Sequence, residues 1–151
     1  MRNNVGKWAE EIVSQWLIVK GWQILHRRWN CRYGEIDIIA RSSHKSSTKT
    51  NNTLIFVEVK SRGKNNWDQN GLLSINEKKQ AKLRLAGEIF LARYPQYYEY
   101  DCRFDVALLG HRRLNSTNNS HQQLTLTPQL EQPINYHDYQ FTIVSYLINA
   151  F

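Results

Sequence analysis

The 151-residue sequence predicts an α/β domain built around a mixed β-sheet. Three observations predict it. Apolar residues near the N-terminus recur at helical spacing. Three strand-like segments then follow in succession, and a second helical segment leads into a fourth strand. The length suits one domain with one core, and 41% hydrophobic with 22% charged residues is an ordinary globular balance.

Each element has its own signal. Val5, Trp8, Ala9, Ile12, Val13, Trp16 and Leu17 keep the three-and-four spacing of an amphipathic helix, and Gly21 stands where such a helix stops. Residues 22–29 read as a strand, 30–34 as a turn, 35–40 as a second strand and 54–61 as a third. A polar loop spans 63–71. Ser74 and Glu77 have capping-box spacing and open a helix over 75–93, with Leu83, Ala86, Ile89 and Phe90 inward and Pro95 beyond its end. The strand at 103–109 returns through that helix, a crossover that predicts parallel pairing. Residues 124–127 are short enough for a fifth strand, and the apolar stretch 141–151 suits a strand or a helix equally. The polar runs 41–53 and 111–123 read as loop insertions in a single domain, 1–151.

The formal net charge of +7 favours a polyanionic partner, nucleic acid or an acidic membrane face, though a basic surface kept for solubility explains it as well. No apolar run reaches membrane-spanning length, and acids interrupt the N-terminal segment where a signal peptide needs apolar residues. The expectation is a cytoplasmic protein with no membrane partner. Cys31 and Cys102 are too few for a disulfide framework or a zinc site and read as buried, reduced thiols. The histidines lack a zinc-binding spacing, and the sequence holds neither a P-loop nor a GxSxG elbow. NTP hydrolysis and acyl transfer therefore have no support.

The chemistry concentrates in GEIDIIA and LIFVEVK. Strand side chains alternate faces, so Glu35 and Asp37 share one face, with Ile36 and Ile38 on the other. Glu58 and Lys60 likewise share a face. A symmetric antiparallel hairpin sets Asp37 opposite Glu58 and Glu35 opposite Lys60. Opposed carboxylates destabilise a strand pair unless one is protonated or a cation joins them. Oxygen ligands suit Mg²⁺ or Mn²⁺, and a lysine beside such a cation makes a phosphoryl-transfer site. The spacing alone leaves a second reading open, in which Glu35 pairs with Lys60 and Asp37 with an arginine on a solvated face.

GEID and FVEVK, together with Gly6–Glu10 as G-x-x-x-E and the later RFDVA, resemble the YraN-like family of small bacterial proteins. That family is grouped with the PD-(D/E)XK nucleases and is similar to archaeal Holliday-junction resolvases. The match runs from Gly6 to about Leu109. The resemblance implies a restriction-endonuclease-like core of order αβββαβ. It implies Asp37, Glu58 and Lys60 as catalytic residues. Asp37, Glu58, the Val59 carbonyl and Glu10 would be ligands of Mg²⁺ or Mn²⁺. The chain departs from the pattern at Ile36, which replaces the proline of the superfamily name, at the longer loops, and at Arg28, where asparagine is expected.

Around this site, Arg62, Lys64 and Lys79 are candidate phosphate contacts, and Trp67 a candidate base-stacking residue. Loop anchoring explains Trp67 equally well. Lys78, Lys79, Lys82 and Arg84 together read first as a solvated helix face. Tyr94, Tyr97, Tyr98 and Tyr100 suit a partner surface or packing under a loop, and Arg103 with Asp105 reads as a structural pair. The expected activity is metal-dependent hydrolysis of DNA, branched or structured DNA by likeness to the resolvases, although the residues do not distinguish DNA from RNA. A symmetric junction needs two cuts, which a homodimer could supply, although the sequence does not settle the oligomeric state. The other reading is a non-catalytic nucleic-acid-binding module acting with a partner.

Overall fold

The N-terminal apolar stripe forms α1, Val5–Val19, in the computed structural model, which describes residues 4–42, 52–63, 75–115 and 127–151. Gly21 follows α1 with a φ of 96°, the left-handed turn that glycine makes at low cost. The next strands are β1 (Trp22–Cys31), β2 (Gly34–Ser42) and β3 (Thr53–Arg62). Helix α2 spans Glu77–Arg93, and β4 (Asp101–Arg113), β5 (Pro133–Tyr136) and β6 (Tyr139–Leu147) complete the chain.

The six strands form one sheet in the order β1-β2-β3-β4-β6-β5. β3 and β4 pair in parallel, joined through α2, and the other neighbours are antiparallel. The predicted crossover and the order αβββαβ are both present. This is a mixed α/β architecture compatible with a restriction-endonuclease-like core.

Each helix covers one face. α1 packs on Ile38, Ala40, Ile55, Val57, Ala107 and Leu109. α2 packs on Ile39, Leu54, Phe56, Val106 and Leu108. Of the residues of α2, only Leu83, Ala86, Gly87 and Phe90 are buried, so its docking rests on a narrow stripe. Phe90 is the anchor, in edge contact with Phe56 at 5.9 Å and Trp29 at 5.4 Å. Gly87 lets the helix come close: a Cβ there would meet the Phe104 ring at 3.1 Å and Phe56 at 3.4 Å.

Several sequence expectations need correction. The α2 cap is Asn76, whose side chain accepts the Lys79 amide at 2.9 Å, so Glu77 is the first helical residue rather than the partner of a Ser74 cap. Ser74 itself lies outside the described residues. Ile89 lies on the inner side of α2 as expected, partly buried against the core cluster of Leu83, Ala86 and Phe90. His111, Arg112 and Arg113 extend β4 instead of opening a loop, because they continue its pairing with β6. The fifth strand is Pro133–Tyr136, whereas 124–126 lie outside the described residues. The open choice over 141–151 resolves as a strand as far as Leu147. Cys102 is exposed and Cys31 half-buried, so neither is a core thiol.

The Arg103–Asp105 pair is structural, as expected, and ties in the C-terminus. Asp105 is fully buried and accepts from Arg103 at 3.1 Å, the Tyr146 hydroxyl at 2.7 Å and the Asn149 amide at 2.9 Å. The tyrosines divide. Tyr94 and Tyr97 stack around Phe90, and Tyr100 packs on Tyr97, while Tyr98 is 77% exposed.

Candidate metal centre

The β2–β3 ladder runs from Arg41↔Leu54 to Ile38↔Val57. Carried one pair further, that register sets Asp37 opposite Glu58, as the sequence predicts, but the pairing ends first. Beyond it, the Val59 amide donates to Asp37 Oδ2 at 2.8 Å. A carboxylate has thus replaced a backbone carbonyl as acceptor where the strands part.

The other side of β2 is irregular at the same point. In the β1–β2 register Arg28 would face Asp37, yet the pairing skips that position, and Arg28 has a φ of 51°. Face alternation breaks here too. Ile38 joins the core under α1, but Ile36 joins the core under α2, which corrects the prediction that they share a face.

Three carboxylates meet at this distortion. One oxygen from each of Glu10, Glu35 and Asp37 lies within 4.8 Å of the others. Glu10 comes from α1, where it is buried rather than solvated, and Arg28 Nε donates to its Oε2 at 2.7 Å. Burial raises the Glu10 carboxyl above its usual range, with Arg28 opposing the shift. Asp37 is pushed up to about 8 by burial, then by the charge of Glu58, against the Val59 amide.

Glu58 is buried on β3, and two ammonium groups meet its Oε1: Lys79 Nζ at 2.6 Å and Lys60 Nζ at 3.3 Å. Lys60 therefore pairs with Glu58, not with Glu35, and Glu35 joins the acid group instead. Burial, then the neighbouring Lys79, lowers the Lys60 ammonium. For Lys79 burial pulls downward, but the hydrogen bond to Glu58 and the remaining contacts outweigh it and raise the ammonium.

A cleft of about 530 Å³ opens over these groups. Its walls are the β1–β2 turn at Tyr33 and Gly34, the acids Glu35, Asp37 and Glu58, and the first turns of α2 at Asn76, Lys78, Lys79 and Lys82. All-oxygen donors of this kind fit a hard divalent cation.

The family model described as "Uncharacterised protein family UPF0102" matches residues 9–109. The chain belongs to family UPF0102. A UPF0102 protein of Acaryochloris marina is 46% identical over 97% of this chain and 89% of its own length. UPF0102 proteins of Trichodesmium erythraeum and Trichormus variabilis are 40% and 39% identical, each over 98% of this chain and 88% or 94% of their own. The expected YraN-like membership holds: UPF0102 is that group of small bacterial proteins.

Of the candidate site residues named from the sequence of this UPF0102 protein, the structure brings Glu10, Asp37, Glu58, Lys60 and Lys79 together. Val59 meets Asp37 through its amide. Arg62 is exposed at the end of β3. Lys64 and Trp67 lie outside the described residues. The sequence reading missed Glu35 as a member of the acid group and Lys79 as the partner of Glu58. Both signals were present. Glu35 has the parity of Asp37, and Lys79 precedes Leu83, Ala86 and Phe90 at four, seven and eleven residues, on the buried stripe of α2. Among the described residues no helix is long and apolar enough to cross a membrane.

Proposed function

We propose that the protein is a metal-dependent endonuclease that hydrolyses phosphodiester bonds in DNA, with branched or structured DNA as its preferred form. One observation carries the reading. Glu10, Glu35 and Asp37 converge within 4.8 Å beside buried Glu58, in a cleft walled by Lys78, Lys79 and Lys82. Acids this close repel one another, and Asp37 at about 8 holds a proton at neutral pH. Arg28 pairs with Glu10, and Lys60 and Lys79 pair with Glu58, so cations already border the acid group. A divalent cation among these carboxylates would offset their repulsion and add positive charge where a phosphodiester would bind.

Asp37 and Glu58 are the proposed ligands of Mg²⁺ or Mn²⁺, with Glu10 and the Val59 carbonyl from the family pattern and Glu35 added by the geometry. A bound cation would neutralise phosphate charge and acidify water, which so slow a hydrolysis requires. Lys60, anchored on Glu58, orients the attacking water and stabilises the charged phosphate. Lys78, Lys82 and Arg62 supply cations for the flanking phosphates.

The test is cleavage of labelled single-stranded, duplex, flap and four-way-junction DNA with Mn²⁺ or Mg²⁺, alongside Lys60→Ala. Metal-dependent cutting that falls at least ~100-fold in the variant is the expected result. Tight, salt-sensitive binding without cutting by the wild type would leave the non-catalytic binding module as the better reading.

A further inference from the structure

We infer that Lys79 is a positioning residue that holds Glu58 in the cation's stead and releases it when a divalent cation binds. The inference rests on the metal-site reading above. It begins with the placement of Lys79. The residue sits on the buried stripe of α2, where an apolar side chain would ordinarily pack over the sheet. Its backbone is fixed by the Asn76 cap at 2.9 Å. From that anchored start its side chain reaches into the cleft and meets Glu58 Oε1 at 2.6 Å, the closer of the two ammonium contacts on that oxygen.

Glu58 is 6% exposed, so its charge has little water to solvate it. A buried carboxylate needs a partner, and without metal Lys79 is the nearer one. A cation coordinated by Glu58 needs the same oxygen lone pairs that Lys79 occupies, so the two compete. The side chain of Lys79 is 38% exposed, which leaves a path for its flexible stem to swing toward the cleft mouth. There its ammonium faces the position of an incoming phosphate. Lys60 differs: it lies on the same strand as Glu58, two residues along, and makes the longer 3.3 Å contact.

Mn²⁺ titration by calorimetry tests this on the full chain. Wild type, Lys79→Met, Glu58→Gln and the double variant are compared, with circular dichroism as the control for folding. Removing a competitor should tighten Mn²⁺ binding by about tenfold in Lys79→Met. The gain should disappear in the Glu58→Gln background, since the effect runs through Glu58. A purely structural lysine would give the opposite, because losing it would disorder Glu58 and weaken binding. Unchanged or weaker Mn²⁺ affinity in a folded Lys79→Met overturns the inference. A wild type that binds no Mn²⁺ overturns the metal site itself, a separate outcome.

Discussion

Asp37 carries a large electrostatic tension at the scale of single residues. Its carboxyl rises from 3.8 to about 8 because partial burial disfavours its charge and the charge of Glu58 adds to that. A raised folded-state value means that its stabilising contribution is complete below pH 3.8 and is lost as pH climbs through about 8. The Asp37→Asn side chain does not titrate and has no such loss, and its amide oxygen can still accept from Val59. Thermal unfolding of Asp37→Asn in chelator should therefore show a stability lead over wild type that widens through that window and levels at ~2 kcal/mol or more. A lead that shrinks with rising pH would refute the assignment. Arg28 adds a second local cost. Its φ of 51° costs a non-glycine residue about 1 kcal/mol, less for asparagine, the residue expected from the family pattern. Arginine instead contributes a guanidinium to Glu10.

Helix α2 shows at the scale of elements how a weakly apolar segment is held. Gly87 gives up helix propensity for close contact with Phe56 and Phe104. Gly87→Leu should overpack that contact and lower stability by about 2–3 kcal/mol, read as a drop in the denaturant midpoint at constant m-value. A midpoint that does not fall would show that the helix can lift without loss. Local patterns made most elements legible: the α1 stripe, the strand parity of Glu35, Asp37 and Glu58, and the helical crossover were all visible before any contact was known. The β5–β6 hairpin was not. Its two-residue turn puts a positive φ of 54° on His137, where glycine would have announced it. The end of the β2–β3 ladder was equally hidden, because parity assigns faces but does not say where pairing stops. Glu35 was misassigned for that reason, since its expected partner Lys60 lies beyond the last pair.

At the scale of the whole molecule, one buried acid helps tie the C-terminal residues to the central sheet. Asp105 on β4 gathers Arg103, the Tyr146 hydroxyl on β6 and the Asn149 amide. It thereby links the central sheet to residues more than forty positions later in the chain. Asp105→Ala leaves those donors unmatched and should cost about 3–5 kcal/mol in equilibrium unfolding. A loss under about 1 kcal/mol would mean that water replaces the carboxylate freely.

The parting of β2 and β3 has a practical consequence. Asp37 lies five residues along β2 from Ser42, about 17 Å at strand rise, so Ser42 and Thr53 stand at the end of the β2–β3 pair remote from the acids. A fluorescent reporter or affinity tag spliced between Ser42 and Thr53 would leave the cleft untouched. Sequence length between Ser42 and Thr53 can drift without cost to the chemistry.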